Sequence, residues 1–167
     1  TQYPDYFAWE AFDEIATTGG TSYWSGSSTK YNTSSPFAFN GGTGSPYATT
    51  VSGTPYYGEW IQVNTPMKIK PSHINIRVRT INRYPRQGVI AGSIDGSTWN
   101  TIQTFAGITS GAEFQSVRYE ASSDSSYNYF RFIQTHSNGN QYAGWDWFEL
   151  YGYEEVGAGD DGPAPGE

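Results

Sequence analysis

Arginines and asparagine close to loop aromatics are the residues of this chain best suited to chemistry. Lys68, Lys70, Arg77, Arg79, Arg83 and Arg86 supply six of the nine Lys and Arg, and no Asp or Glu occurs from Trp60 to Ile94. A guanidinium donates paired hydrogen bonds to hydroxyls or carboxylates, and an aromatic ring stacks on an apolar face. Arg79, Asn82, Arg83 and Tyr84 fall around the end of an alternating stretch that closes at Ile81. That loop is the first place expected to meet a ligand. The plainer alternative leaves Arg83 and Arg86 solvated, with Arg77 and Arg79 as strand decoration.

Catalysis has less to work with. Only His73 and His136 are present. His73 follows Pro71-Ser72 at an expected strand start, where a surface or capping role is expected. His136 closes a strand before SNGNQYAG and is counted among the ligand-binding candidates. No Gly-x-Ser-x-Gly elbow is present to hold a serine nucleophile. Asp13, Glu14, Glu59, Asp146 and Glu149 are carboxylates by type, with no spacing that marks an acid–base pair. No enzymatic activity is expected.

These residues need a scaffold, and composition narrows it. The chain has 167 residues, enough for one domain with a tail. Aromatics are 17% and charged residues only 15%, against about 25% charged in an ordinary domain. Such aromatic content argues against disorder, and the scarcity of Ala, Glu, Lys and Leu against helical bundles. With no Cys, disulfide frameworks and thiolate chemistry are excluded. No apolar run approaches the ~18 residues of a membrane helix. The charge of −7 argues against nucleic acid, although five acids lie in 154–167, so residues 1–153 carry only −2. GAGDDGPAPGE (157–167) has linker composition, so the expected division is a domain at 1–154 and an acidic tail at 155–167. The chain begins at Thr1 without a signal-peptide pattern, which suggests a mature or excised segment.

Residues 1–58 read as long loops with short strands and one helical turn near Trp9–Ile15. Strands follow at Glu59–Asn64, Ser72–Ile81, Val89–Ile94, Trp99–Phe105, 113–119, Tyr127–Thr135 and 145–152. Each alternates apolar and polar residues or runs continuously apolar. Asp95-Gly96 marks a tight turn. The expectation is an all-β antiparallel β-sandwich or jelly roll. Trp24, Trp60 and Trp99 are expected in its core, as are Phe148 and Leu150.

Six motifs then occur in order: Ala11-Phe12-Asp13, Tyr23-Trp24-Ser25, GEWIQVNTPMKI (58–69), GSIDGSTWNTI (92–102), YNYFRFI (127–133) and WDWFELYGYE (145–154). Together the sequence resembles the discoidin-like, coagulation-factor type C family, which includes the family-32 carbohydrate-binding modules. The spelling around GEWIQV and RYPRQGVIAGSIDGSTW is also similar to surface proteins of large algal DNA viruses. The resemblance implies a galactose-binding-like jelly roll and a non-catalytic glycan-binding module of a larger secreted or particle-surface protein. It implies that Arg79, Asn82, Arg83, Tyr84 and Tyr142 face the sugar, with Trp24, Tyr56 or Tyr57 added from early loops. It also implies a structural Ca²⁺ held by the Phe12 carbonyl, Asp13, Ser22 and Glu149. The loop EIATTGGTSY (14–23) is longer than the family's, and Ile15 stands where a second acid is usual. Otherwise Asp13 is a turn cap and Glu149 is exposed or bonded to backbone. An extracellular, cell-surface or virion-surface location is expected. Lipid binding is not, because the loops lack Leu and Met tips. The competing reading is a structural or protein-interaction domain with no sugar affinity.

Overall fold

The computed structural model describes residues 24–25, 30–44, 46–77, 81–106, 116–145 and 147–155. They form β1 (Trp24–Ser25), β2 (Ala48–Val51), β3 (Thr54–Tyr57), β4 (Glu59–Arg77), β5 (Gln87–Ser93), β6 (Asn100–Phe105), β7 (Ser116–Glu120), β8 (Tyr127–His136), β9 (Gly144–Trp145) and β10 (Trp147–Glu154). A 3₁₀ turn at Ile81–Arg83 is the helical piece among the described residues. The helical turn expected near Trp9–Ile15 lies outside them.

The organising element is β4, 19 residues long. The sequence suggests two strands here, with Pro66 and Pro71 between them. Instead one strand bends through both layers of an antiparallel sandwich. Its first part pairs with β8, from Glu59 opposite Gln134 to Ile69 opposite Tyr127, with a register shift between Asn64 and Ile69. Its last part is the centre of a second layer, with β10 on one side and β7 on the other. The first layer continues β4–β8–β5–β6. Pro66 is tolerated because it falls within the shift between Asn64 and Ile69, and Pro71, opposite Gly152, sits beside a second register shift in the β4–β10 ladder.

Alternation sets the core. Ile61 from the first part of β4 and Ile74 and Ile76 from its last part face inward, with Phe130 and Phe132 of β8, Ile90, Ile102, Phe105 and Phe148. Phe132 stacks on Phe105 at 5.1 Å and meets Phe148 edge-on at 6.2 Å. The first layer is covered on its other face too. Val51, Val89, Ala91, Trp99 and Ile133 form a second cluster, with Tyr56, Trp60 and Tyr129 packed on it. Burial on both faces explains why β5 reads as a continuous small and apolar run rather than an alternating one. Gly92 is required here, because a Cβ would lie 2.3 Å from the Tyr127 ring.

One charge sits inside this second cluster. The Arg131 guanidinium lies 3.9 Å from the Trp60 ring centre and 4.2 Å from that of Trp99. It donates to Thr49 Oγ1 and Gln62 Oε1, each at 2.8 Å. Trp99 is buried as expected, while Trp60 is half-buried and serves as one jaw of this clamp. At the Asp95 turn, the carboxylate accepts the Ser97 and Thr98 N–H groups at 2.8 and 2.7 Å. Gly96 takes φ +74° there, and the hydrogen bonds hold the Asp95 carboxyl well below the usual range.

Where β4 bends, a cavity of about 340 Å³ opens between Val63, Thr65, Ile69, Phe148, Leu150, Gly152 and Glu154. It lies at the Tyr127 end of β8. The polar loops lie at the His136 end, about 30 Å away along the ten-residue β8.

Candidate functional site

Three segments meet at the His136 end. The first runs from the 3₁₀ turn into β5. Tyr84 and Pro85 are buried and anchor it, so the flanking Arg83 and Arg86 are set at the rim. The Arg86 N–H donates to the His136 carbonyl at 2.9 Å, tying this segment to the end of β8.

The second segment is the loop from β8 to β9. Its Asn140 N–H donates to the Asn82 carbonyl at 3.0 Å, which locks the two loops together. The Asn140 side chain turns back to accept the Tyr142 N–H at 3.0 Å, and the Ser137 hydroxyl donates to the Asn140 carbonyl. Gly139, at φ +101°, makes the turn that allows this closure.

The third segment is 30–40. Lys30 and Tyr31 both donate their N–H to the Gln141 carbonyl, at 2.8 and 3.2 Å. Phe39 donates to the Thr135 carbonyl at 2.8 Å, and the Phe37 carbonyl accepts from Ser137 at 3.1 Å. Phe37 has φ +62°, a left-handed conformation that costs a bulky residue about 1 kcal/mol or more. The surrounding bonds hold it there.

Two guanidiniums lie on aromatic rings. Arg83 sits over Tyr142 at 5.7 Å and Arg86 over Phe37 at 5.0 Å. Arg86 also reaches Asn138 Oδ1 at 3.4 Å. His136 Nδ1 lies 2.9 Å from Thr135 Oγ1. Burial first, and then the Arg86 charge, lower the His136 pKa, so it is neutral at pH 7. The cluster thus offers guanidinium donors, amides and rings at one rim.

A carboxyl is buried beneath it. Glu59 is 8% exposed, accepts the Ala143 N–H, and leaves Oε2 without a partner among the described residues. Its backbone N–H donates to the Tyr31 hydroxyl at 3.2 Å, which in turn donates to the Gln134 carbonyl at 2.9 Å. Burial raises the Glu59 pKa to about 7, against the opposing pull of the Ala143 bond and Lys30. The preceding Gly58 permits this close approach, since a Cβ would lie 1.9 Å from the Gln134 carbonyl oxygen.

The structure brings together Asn82, Arg83, Tyr142 and His136 of the residues singled out in the sequence. Tyr84 is a correction. It is 1% exposed and belongs to the core, so its ring is closed to a ligand, and burial raises its phenol pKa. Tyr57 is half-buried opposite Ala48 in the separate β2–β3 hairpin. No hydrogen bond or ring contact among the described residues ties it to Arg83 or Tyr142. Trp24 is described through its backbone alone, paired with Trp145. Arg79 lies outside the described residues.

Phe12, Asp13 and Ser22 of the implied Ca²⁺ set also lie outside the described residues. The fourth ligand, Glu149, is half-buried on the outward side of β10. Its Oε2 accepts from Asn75 Nδ2 at 3.0 Å and its Oε1 from the Tyr151 hydroxyl at 2.8 Å. Hard oxygen donors of this type suit Ca²⁺, and each carboxylate oxygen keeps a further lone pair. Phe37, Arg86, Asn138 and Asn140 join the rim without having been singled out as ligand contacts. Nothing periodic marks Phe37 in the sequence, whereas Arg86 stood within the basic segment.

No protein-family model matches the sequence, and no curated protein matches it. Solved structures do. The family 32 carbohydrate-binding module of Clostridium perfringens NanJ, solved in complex with galactose, aligns with TM-score 0.60 and 13% identity, over 90% of this chain and 88% of that one. The fold is a galactose-binding-like sandwich. A family 32 module from a family 31 glycoside hydrolase of Clostridium perfringens gives TM-score 0.59 and 12% identity, over 90% and 87% of the two chains. A fucolectin from striped bass (Morone saxatilis) serum gives TM-score 0.59 and 12% identity, over 92% of this chain and 45% of that one. At such identities the likeness is one of architecture, and the function is argued from the loop residues.

Proposed function

We propose that this protein is a non-catalytic glycan-binding module whose sugar docks on the loops at the His136 end of the sandwich. The observation that carries the reading is the joined pair of loops, with Arg83 over the Tyr142 ring and the Asn140 N–H bonded to the Asn82 carbonyl. Amides and guanidiniums supply directed donors for hydroxyls, and a ring face supplies apolar surface for the sugar's C–H groups. That modules and a lectin of the same architecture carry carbohydrate-binding names supports the reading.

A glycan array with the whole chain tests it. Binding to at least one sugar class is expected, lost in Arg83→Ala combined with Tyr142→Ala. Silence across neutral and acidic sugars sinks the reading, and binding that survives both changes moves the site elsewhere. We place the module in a secreted or particle-surface protein, where weak single sites gain strength by repetition. We also assign a structural Ca²⁺ to Glu149 with Phe12, Asp13 and Ser22. A native-state ligand raises the melting temperature, so EDTA is expected to lower it and excess Ca²⁺ to restore it. An unchanged midpoint removes the metal.

A further inference from the structure

We propose that the sugar taken by this site is anionic, bearing a carboxylate or a sulfate ester, and that Arg83 and Arg86 receive its charge. The inference rests on the glycan-binding reading above and names the class of ligand.

The argument is the distribution of charge. The chain as a whole carries −7. Yet the three segments that build the rim contain no carboxylate at all. Residues 30–40, 81–87 and 136–145 have neither Asp nor Glu, while Lys30, Arg83 and Arg86 lie within them. The one acid between Lys30 and Ile94 is Glu59, which is buried beneath the loops rather than presented at the rim. Elsewhere the exposed cations among the described residues are paired: Lys70 with Asp124 at 3.0 Å, Lys68 with Glu155 at 4.0 Å, and Arg118 with Glu120. Arg86 makes no ion pair among the described residues. Its neighbours are a ring and an amide oxygen.

Both guanidiniums are also prepared for an anion. A ring beneath a guanidinium restricts its movement without cancelling the charge. The buried Tyr84-Pro85 pair sets the two arginines three positions apart on one rim, and the bond from Asn140 to Asn82 holds that rim against Tyr142. A neutral sugar needs donors and acceptors in balance. A rim of cationic donors that excludes carboxylates favours a ligand that brings its own negative charge.

Calorimetry with the whole chain tests this against three oligosaccharide probes: galacturonate, its neutral galactose counterpart and a sulfated galactan. At least one anionic probe is expected to bind about tenfold or more tighter than the neutral one. Its affinity should weaken several-fold from about 50 to about 300 mM NaCl, as salt screens the half-buried pair at the rim. The sulfated and carboxylated arms tell the two anions apart. Arg86→Gln, which keeps hydrogen-bonding capacity but removes charge, is expected to erase most of the anionic preference while leaving the melting temperature near that of the parent. Neutral galactose binding as well as or better than both anions, insensitive to salt, overturns the anionic assignment and leaves the glycan reading standing. No binding to any probe or on the array overturns both.

Discussion

The two ends of the sandwich handle their cations in opposite ways. At the Tyr127 end, Lys68 and Lys70 are exposed and face Glu155 and Asp124, beside an apolar cavity. At the His136 end, Arg83 and Arg86 lie on aromatic rings, in segments without an acid. In the sequence all four belong to one basic run. The fold divides the run because β4 bends, sending 68–70 to one end and 83–86 to the other. Exposed lysine–carboxylate pairs contribute about 0–1 kcal/mol each and serve solubility. Arg86 is held on the Phe37 ring and makes no ion pair among the described residues. Charge count alone does not mark a binding site, therefore, and the company each charge keeps does.

Four experiments break or sharpen this contrast. The Arg131 clamp belongs to neither rim. Arg131→Ala is expected to lower stability by about 3 kcal/mol, through lost packing on Trp60 and Trp99 and lost bonds to Thr49 and Gln62. Glycan affinity of the folded protein should stay unchanged, and a matching loss of affinity would tie the clamp to the loops.

The second concerns acids. Glu59 is the buried carboxyl of the loop end, and its folded pKa of about 7 lies above the ordinary 4.5. The neutral form is favoured by folding. Stability from this group is therefore fullest below pH 4.5 and is lost as pH rises toward 7, by about 3 kcal/mol in all. Urea unfolding of Glu59→Gln should match the parent at pH 4 and exceed it by up to about 3 kcal/mol at pH 8. Equal stability at both pH values would show that the carboxyl is hydrated in solution.

The third exchanges charge at the two ends. Arg86→Glu should weaken glycan binding about thirtyfold or more, whereas Lys70→Glu should leave it within about twofold. Equal losses would mean that the general field of the protein, rather than the rim, guides the ligand. The smallest effect is expected from Lys68→Ala with Lys70→Ala. Their melting curves should differ from the parent by less than about 0.5 kcal/mol per residue.

Much of the architecture is legible in the sequence, because strands with one buried face must alternate. Ile74, Ile76, Phe148 and Leu150 announce their layer this way. The continuity of β4 is not legible, since Pro66 and Pro71 read as breaks and only the register shifts beside them make them harmless. Tyr84 misleads because a tyrosine between arginines looks like a ligand contact, while its burial depends on packing against distant strands. Arg131 is hidden for the opposite reason. A charged residue in a strand reads as outward and solvated, and only the fold supplies two indoles to cover it. Phe37 reaches the rim through its backbone bond from Ser137, about a hundred residues away in the chain, a pairing that spacing does not encode.

The Glu155 N–H donates to the Lys68 carbonyl at 2.9 Å. The polypeptide is thereby fastened, as it emerges from its last strand, to the corner where β4 turns over. Glu155 and the loops at the His136 end consequently lie at opposite poles. A probe fixed at Glu155 would therefore stand about 30 Å from a ligand held at those loops.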